Sequence, residues 1–388
     1  AKQIADRLEA TGITSAADFP LTWNIQTGEN VLWKVSLPCP GASSPVVWED
    51  YIFLTGAEQA AREVCCFRAS SGELLWRHKV AGVPGSPREA PSVSEDTGHA
   101  ASTAATDGRR VYAIFANGDL LALDFSGRKA WARNLGALHN SYGYAASLLL
   151  WRDRLIVQLD VDEHGRLLAL NAATGATLWE TPRELGGAWS TPILARTASG
   201  DQLITTANPK VIAYDPADGR ELWSAEGLGG DVAPSPVFGG GLVFAANETS
   251  ALLALKTDGR GDVTATHVAW KAEAGLPDTA SPLTDGRWVW LVAPDGQLTC
   301  YEAQRGEKKY AQDLGDTFYA SPSLAGARLL LLSRKGTAIW VKAGPAFEEL
   351  GRAELGEAVF ASPAFRDGRI FIRGQKQLFA IGVKEKTR

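Results

Sequence analysis

The phrase Ala-x-Asn-x-x-Thr-Gly-x-x-x-Trp, read from Ala169 to Trp179, returns in altered form along nearly the whole chain. It recurs as AYDPADGRELW ending at Trp223, as RASSGELLW ending at Trp76 and as LDFSGRKAW ending at Trp131. A weaker copy, RGEKKY, ends at Tyr310. Self-similarity at one spacing makes the chain an array of one supersecondary unit, each too small to bury its apolar face alone. A second signature sets the period. A hydroxyl residue followed by proline opens an apolar run at Ser44-Pro45, Thr191-Pro192, Ser235-Pro236, Ser281-Pro282, Ser321-Pro322 and Ser362-Pro363. Ser102 and Ser147 take the same place without the proline. The steps between these positions are 58, 45, 44, 44, 46, 40 and 41 residues. Eight units of roughly 40 to 45 residues match the blade of a four-stranded propeller.

Inside one unit the residues spell strands and turns. In the second copy RRVYAIFA is followed by Asn117-Gly118, then DLLALDF, then Ser126-Gly127, then RKAW. Short runs of β-branched and aromatic residues bounded by turn residues read as strands, and Asn-Gly favours a tight hairpin because both central residues need positive φ. The tryptophan then falls on the fourth, outer strand. The expectation is an all-β, eight-bladed propeller of four-stranded antiparallel blades spanning residues 23–383, with an N-terminal extension over 1–22 and a basic tail over 384–388. The extension has room for one short amphipathic helix through Ile4 and Leu8. The last copy, from Ser362-Pro363, lacks an outer strand, and TGENVLW ending at Trp33 is an orphan one. Pairing the two closes the ring and removes an exposed edge. The seventh copy has no outer tryptophan, and the fifth carries an insertion before Trp270.

Composition narrows the function classes. The 388 residues carry a net charge of −5 with no cluster of basic residues, a poor match to nucleic acid or anionic lipid. The 45% hydrophobic content suffices for a continuous core, and no apolar stretch is long enough to span a bilayer. The chain begins at Ala1 without an initiator methionine or signal peptide, which fits a mature exported protein or a trimmed one. A monomer is expected. Of the four cysteines, Cys65 and Cys66 sit on one strand and point to opposite faces. They read as packed thiols, with a redox pair as the other possibility; Cys39 and Cys300 complete the set. The acidic residues Asp160, Asp162 and Glu163 beside a hairpin turn read as a solvated face. Glu95-Asp96 lie in the one long insertion, Arg77 to Ala100, which is proline-rich and expected to be ordered over one mouth of the ring. Asn247-Glu248-Thr249 fits a glycosylation sequon.

The repeat phrase resembles that of the quinoprotein-type, or PQQ-like, β-propellers over about residues 23 to 383. In that family the tryptophans wedge between neighbouring blades with the indole stacked on an adjacent peptide. The resemblance implies this structural role for Trp33, Trp76, Trp131, Trp179, Trp223 and Trp270. It covers two branches. One holds dehydrogenases that bind pyrroloquinoline quinone and Ca²⁺ at the channel mouth and oxidise alcohols or sugars. The other holds non-catalytic propellers such as BamB, a lipoprotein of outer-membrane protein assembly. The repeat grammar is also similar to that of PQQ-like repeat proteins of planctomycete-type bacteria, a resemblance that implies a fold and no activity.

One set of positions points to a site. Just ahead of each hydroxyl-proline step the residues read Ala42, His99, Tyr144, Trp189, Ala233, Thr279, Tyr319 and Phe360, a circle expected at one end of the channel. Two readings stand. The circle pads the channel, or His99, Tyr144, Trp189, Thr279, Tyr319 and Phe360 form a ligand-binding surface for a flat or sugar-like ligand or a peptide loop. No residue is assigned catalysis or metal binding. The expected function is a non-catalytic binding scaffold of the bacterial cell envelope, periplasmic or secreted, without cofactor, for a protein partner or small ligand at the mouth. The alternatives are a quinone- and Ca²⁺-dependent dehydrogenase and a carbohydrate-binding propeller.

Overall fold

The computed structural model describes residues 12–58, 61–136, 142–160 and 165–383. Eight sheets form the ring. The first blade runs Val46–Trp48, Tyr51–Glu58, Ala61–Arg68, Leu74–Lys79, each strand antiparallel to the one before. Short first strands from neighbouring blades touch one another and so line the centre. Among the described residues no helix is long and apolar enough to cross a membrane.

The core is divided into eight layers, one at each junction between blades. Val64, Cys66 and Phe53 of the first blade pack on Val111, Ala113 and Leu121 of the second, and the pattern repeats around the ring to Phe371 and Leu378 of the eighth blade against Ile52 and Phe67 of the first. Middle strands are therefore buried on both faces, as continuous apolar runs such as residues 329–332 require.

A bulge explains the tryptophan phrase. In every blade the pairing of third and outer strands slips by one residue beside the tryptophan position, as between Ala169↔Trp179 and Leu170↔Thr177. An extra residue bends a strand and re-aims the side chain beside it. The indole then leans onto the turn of the next blade: Trp33 Nε1 donates to Ala69 O, Trp76 to Phe125 O, Trp131 to Ala172 O, Trp179 to Pro216 O and Trp270 to Ala303 O, at 2.8–3.2 Å. The glycine of Thr-Gly makes this possible. Gly175 has φ +74°, and a Cβ there would lie 2.7 Å from Trp131 Cε3.

Trp223 departs from the expected docking. Its indole is fully buried and donates to Gln202 Oε1 of its own blade, and Gln202 Nε2 donates on to Thr257 O of the fifth. The fifth-blade insertion causes this: its strand Gly261–Asp262 pairs in parallel with the outer strand of blade four and covers Trp223.

The ring closes as expected, Val31–Ser36 pairing with Gln377–Ile381. The expected extension over residues 1–22, where described, is woven into the ring. Ile13–Thr14 pairs in parallel with the innermost strand of blade seven, inside the channel. The chain then crosses the opposite end, where Phe19 and Trp23 join the layer between blades seven and eight and Leu21 backs onto Gly351. Gly351 occupies the register where other blades carry tryptophan or, in blade six, Tyr310, so the N-terminal segment fills the gap left by the missing outer ring. The helix expected through Ile4 and Leu8, and the tail over 384–388, lie outside the described residues.

Candidate ligand-binding face

From blade two to blade eight, a hydroxyl at the start of each blade is a clasp to the blade before it. Ser44 N donates to Thr103 Oγ1, Thr103 N to Ser147 Oγ, Ser147 N to Thr191 Oγ1, and Thr191 N to Ser235 Oγ. The series continues through Ser281, Ser321 and Ser362, all at 2.9–3.1 Å. The following proline favours an extended backbone at the serine, and the hydroxyl satisfies an amide that the ladder leaves over. The junction of blades eight and one has its own clasp: buried Arg373 donates through Nη1 to Ser43 O, Ser43 Oγ and Thr55 O.

This ladder sets which residues are equivalent and corrects the expected circle. The second member is Thr103, not Ser102, whose hydroxyl instead donates to Tyr144 O and Ala146 O. Two residues before each clasp stand Ala42, Ala101, Ala145, Trp189, Ala233, Thr279, Tyr319 and Phe360, each half-buried or exposed. Tyr144 belongs one position earlier, with Ala188, Val232, Phe318 and Val359, all buried. Its hydroxyl donates to Gly136 O and its ring packs in the layer between blades two and three. His99 lies outside the circle too, at the end of the long insertion, where its carbonyl accepts from Ala116 N. Burial and, secondarily, the Arg62 charge hold the His99 imidazole below its usual value.

Three aromatics and Thr279 thus remain of the predicted surface. Tyr319 and Phe360, from adjacent blades, have ring centroids 6.1 Å apart. The Arg334 guanidinium, from the hairpin of blade seven, stands 4.1 Å from the Tyr319 centroid and 5.5 Å from that of Phe360. Sequence reading missed Arg334; its Arg-Lys-Gly turn carried the only signal. Half a ring away Trp189 meets Tyr142 edge to face at 4.8 Å. Thr279 is exposed and its hydroxyl donates to Asp278 Oδ2.

Backbone turns put these groups on one face. The outer strand of each blade returns to the end that carries the hairpin between its two middle strands, as when Leu314 N donates to Gly296 O and Leu355 N to Gly336 O. The long insertion lies on this same face, anchored by Ser86 Oγ to Asp119 Oδ2 at 3.0 Å, while Glu95 and Asp96 are exposed.

Three acidic groups near this face are committed elsewhere. Asp160 contradicts the solvated reading: it is fully buried and takes a two-pronged contact from Arg183, Nε to Oδ1 at 2.6 Å and Nη2 to Oδ2 at 2.9 Å. Arg183 also donates to Thr205 Oγ1 and Tyr214 Oη. Asp162 and Glu163 lie outside the described residues. Asp119 is buried against Arg62, and Glu357 accepts from the amides of Lys376 and Gln377. Ca²⁺ takes six to eight oxygens. Among the described residues, the one group of three potential metal ligands that converges is Cys39, Glu63 and Cys65, a partly sulfur set. Among the described residues, the donor set around the mouth therefore does not converge as a calcium site requires. The sequon residue Asn247 is buried and binds Asp231 O, which closes it to a glycan.

Comparison with known proteins places this geometry. The family model described as outer membrane protein assembly factor BamB matches residues 21–157 and 163–388. BamB of Salmonella typhimurium is 29% identical over 151 residues, 38% of this chain and 34% of that protein. BamB of Nitrosomonas eutropha is 25% identical over 224 residues, 53% of this chain and 50% of that protein. The chain thus aligns with half or less of the length of these relatives. Among solved structures, BamB from Moraxella catarrhalis superposes with a TM-score of 0.66 at 18% identity, covering 92% of this chain and 98% of that one. The quinohemoprotein alcohol dehydrogenase of Comamonas testosteroni gives 0.68 at 13%, covering 92% and 77%. Both share the fold, and the family match over nearly the whole propeller decides the kinship: this chain belongs to the BamB family of PQQ-like β-propellers.

Proposed function

We propose that this protein is a non-catalytic scaffold of the bacterial cell envelope that binds a protein segment on the face carrying Trp189, Tyr319, Arg334 and Phe360. The observation that carries the reading is the Arg334 guanidinium laid over Tyr319 and Phe360. Tyrosine, tryptophan and arginine dominate the energetics of protein interfaces, and a guanidinium over aromatic faces is pre-positioned to meet a carboxylate or carbonyl. The BamB family match supports a protein partner in the envelope.

The dehydrogenase reading fits less well. Asp119, Asp160 and Glu357 are already bound, and the Gly12–Thr14 segment occupies the channel beside blade seven up to the level of Pro322. A carbohydrate site on the aromatics is the remaining competitor.

A photo-crosslinking residue at Thr279, on the proposed face, and at Asp367, on a first-hairpin turn of the opposite face, tests the reading in intact cells. The expected result is a discrete protein adduct from position 279, lost on Arg334→Ala with Phe360→Ala, and none from 367. Equal adducts from both positions overturn it. So does glycan binding lost on Trp189→Ala without any protein adduct, or dye-linked alcohol oxidation after adding quinone and Ca²⁺.

A further inference from the structure

The junction where the ring closes holds a second built site, which shares no residue with the aromatic cluster. Cys39, in the segment that leads from the closing strand into blade one, places its sulfur 4.0 Å from that of Cys65 on the third strand of that blade. Two glycines make room for the cluster: a Cβ on Gly56 would lie 2.1 Å from Cys39 Sγ, and one on Gly41 would lie 2.7 Å from Arg373 Nη2. Arg373 is 2% exposed, contacts only neutral oxygens and leaves its Nε without a partner. Glu63 is already spent on Arg77, with contacts of 2.7 and 2.8 Å. Two guanidinium groups therefore face one carboxylate, and a thiolate at Cys39 restores the balance. Cys65 is buried, whereas Cys39 is half-buried.

From this geometry we infer that Cys39 and Cys65 are a thiol–disulfide exchange pair, with Cys39 the attacking thiolate and Cys65 the resolving thiol, acting on small or protein disulfides. The Cys39 thiolate attacks one sulfur of the incoming disulfide, forming a mixed disulfide and expelling one thiolate. Cys65 then attacks Cys39 Sγ, breaking that bond and expelling the second thiolate, which takes up the Cys65 proton. Two electrons pass from the cysteine sulfurs to the incoming disulfide, which leaves as two thiols. The product ties the segment after the closing strand to blade one.

The electrostatics agree with this division of roles. The hydrogen bond from Cys65 is the main cause holding the Cys39 thiol below the usual range, helped by Arg373 and Arg77 against burial and Glu63. That same bond pushes Cys65 up. A metal is disfavoured because a dication would sit between two guanidinium groups with Glu63 already occupied.

Intact-mass analysis of the folded protein after treatment with oxidised glutathione tests the pair. Wild type is expected to lose two hydrogen masses and retain no adduct, Cys65→Ser to trap one glutathione on Cys39, and Cys39→Ser to remain unmodified. The pH midpoint of Cys39 alkylation should lie below the ordinary thiol value of ~8.5 and rise in Cys65→Ala, which removes the donor. Unmodified wild type, a disulfide through Cys66 or Cys300, equal adduct formation in Cys39→Ser, or a midpoint at or above that value overturns the inference. Protection of both thiols by added Zn²⁺ alone would assign a metal site instead.

Discussion

Replacing Gly175 by alanine should expose the physical content of the repeat phrase. A residue with a side chain at φ +74° carries a backbone cost of about 1–2 kcal/mol. The new Cβ would also meet Trp131 Cε3, Cδ2 and Cζ3 at 2.7, 2.8 and 3.0 Å, overpacking that costs about 1–3 kcal/mol. The expected loss is therefore about 2–5 kcal/mol. Trp131→Ala alone should cost about 3 kcal/mol, through lost burial and the bond to Ala172 O. Made in the Trp131→Ala background, Gly175→Ala meets no ring, and only the backbone cost of about 1–2 kcal/mol remains. The two changes should thus couple by about 1–3 kcal/mol. Urea unfolding followed by tryptophan fluorescence and circular dichroism, with slopes compared across the four proteins, measures this cycle. A Gly175→Ala penalty equal in both backgrounds would refute the argument that glycine is required because the neighbouring indole lies on it.

Asp160→Asn should destabilise by about 3–5 kcal/mol, since it leaves the buried Arg183 charge uncompensated. Denaturation showing less than 1 kcal/mol would mean that water or another group reaches the pair. His99 is expected to titrate below 6.5 in the folded state because burial resists its charging. The unfolded chain then binds more protons just below pH 6.5, so stability should fall as pH drops from 6.5 toward the folded pKa. Imidazole NMR titration of His99, against His99→Gln, reads this directly, and a midpoint at or above 6.5 contradicts it. Oxidation of Cys39 and Cys65 would close a short loop and should raise stability by roughly 3.5 kcal/mol on the chain-entropy estimate. Comparison of urea midpoints with and without reductant measures it.

The blade count, the four strands per blade and the ring closure through Trp33 were legible because each rests on local chemistry. Thr-Gly and Asn-Gly turns, hydroxyl-proline steps and short apolar runs act within about ten residues of one another, and repetition multiplies the signal. The candidate face was only partly legible. In blades two and three no proline marks the register, so Ser102 was read where Thr103 belongs, and His99 and Tyr144 were placed in the circle where Ala101 and Ala145 belong. A contact across 59 residues, Ser44 N to Thr103 Oγ1, makes that choice. Arg334 was overlooked because its importance lies in two rings from other segments.

What this sequence determined by itself is the repeated unit and the number of times it occurs, since turns and strands answer to neighbours in the chain. Tertiary structure alone decided which carboxylate is buried, as with Asp160 under Arg183. It also decided which cysteine meets which, Cys39 with Cys65 and not Cys65 with Cys66, and which segment fills the gap beside Gly351. Burial and pairing across a blade junction depend on side chains brought together by the ring's closure, and no local pattern encodes that proximity.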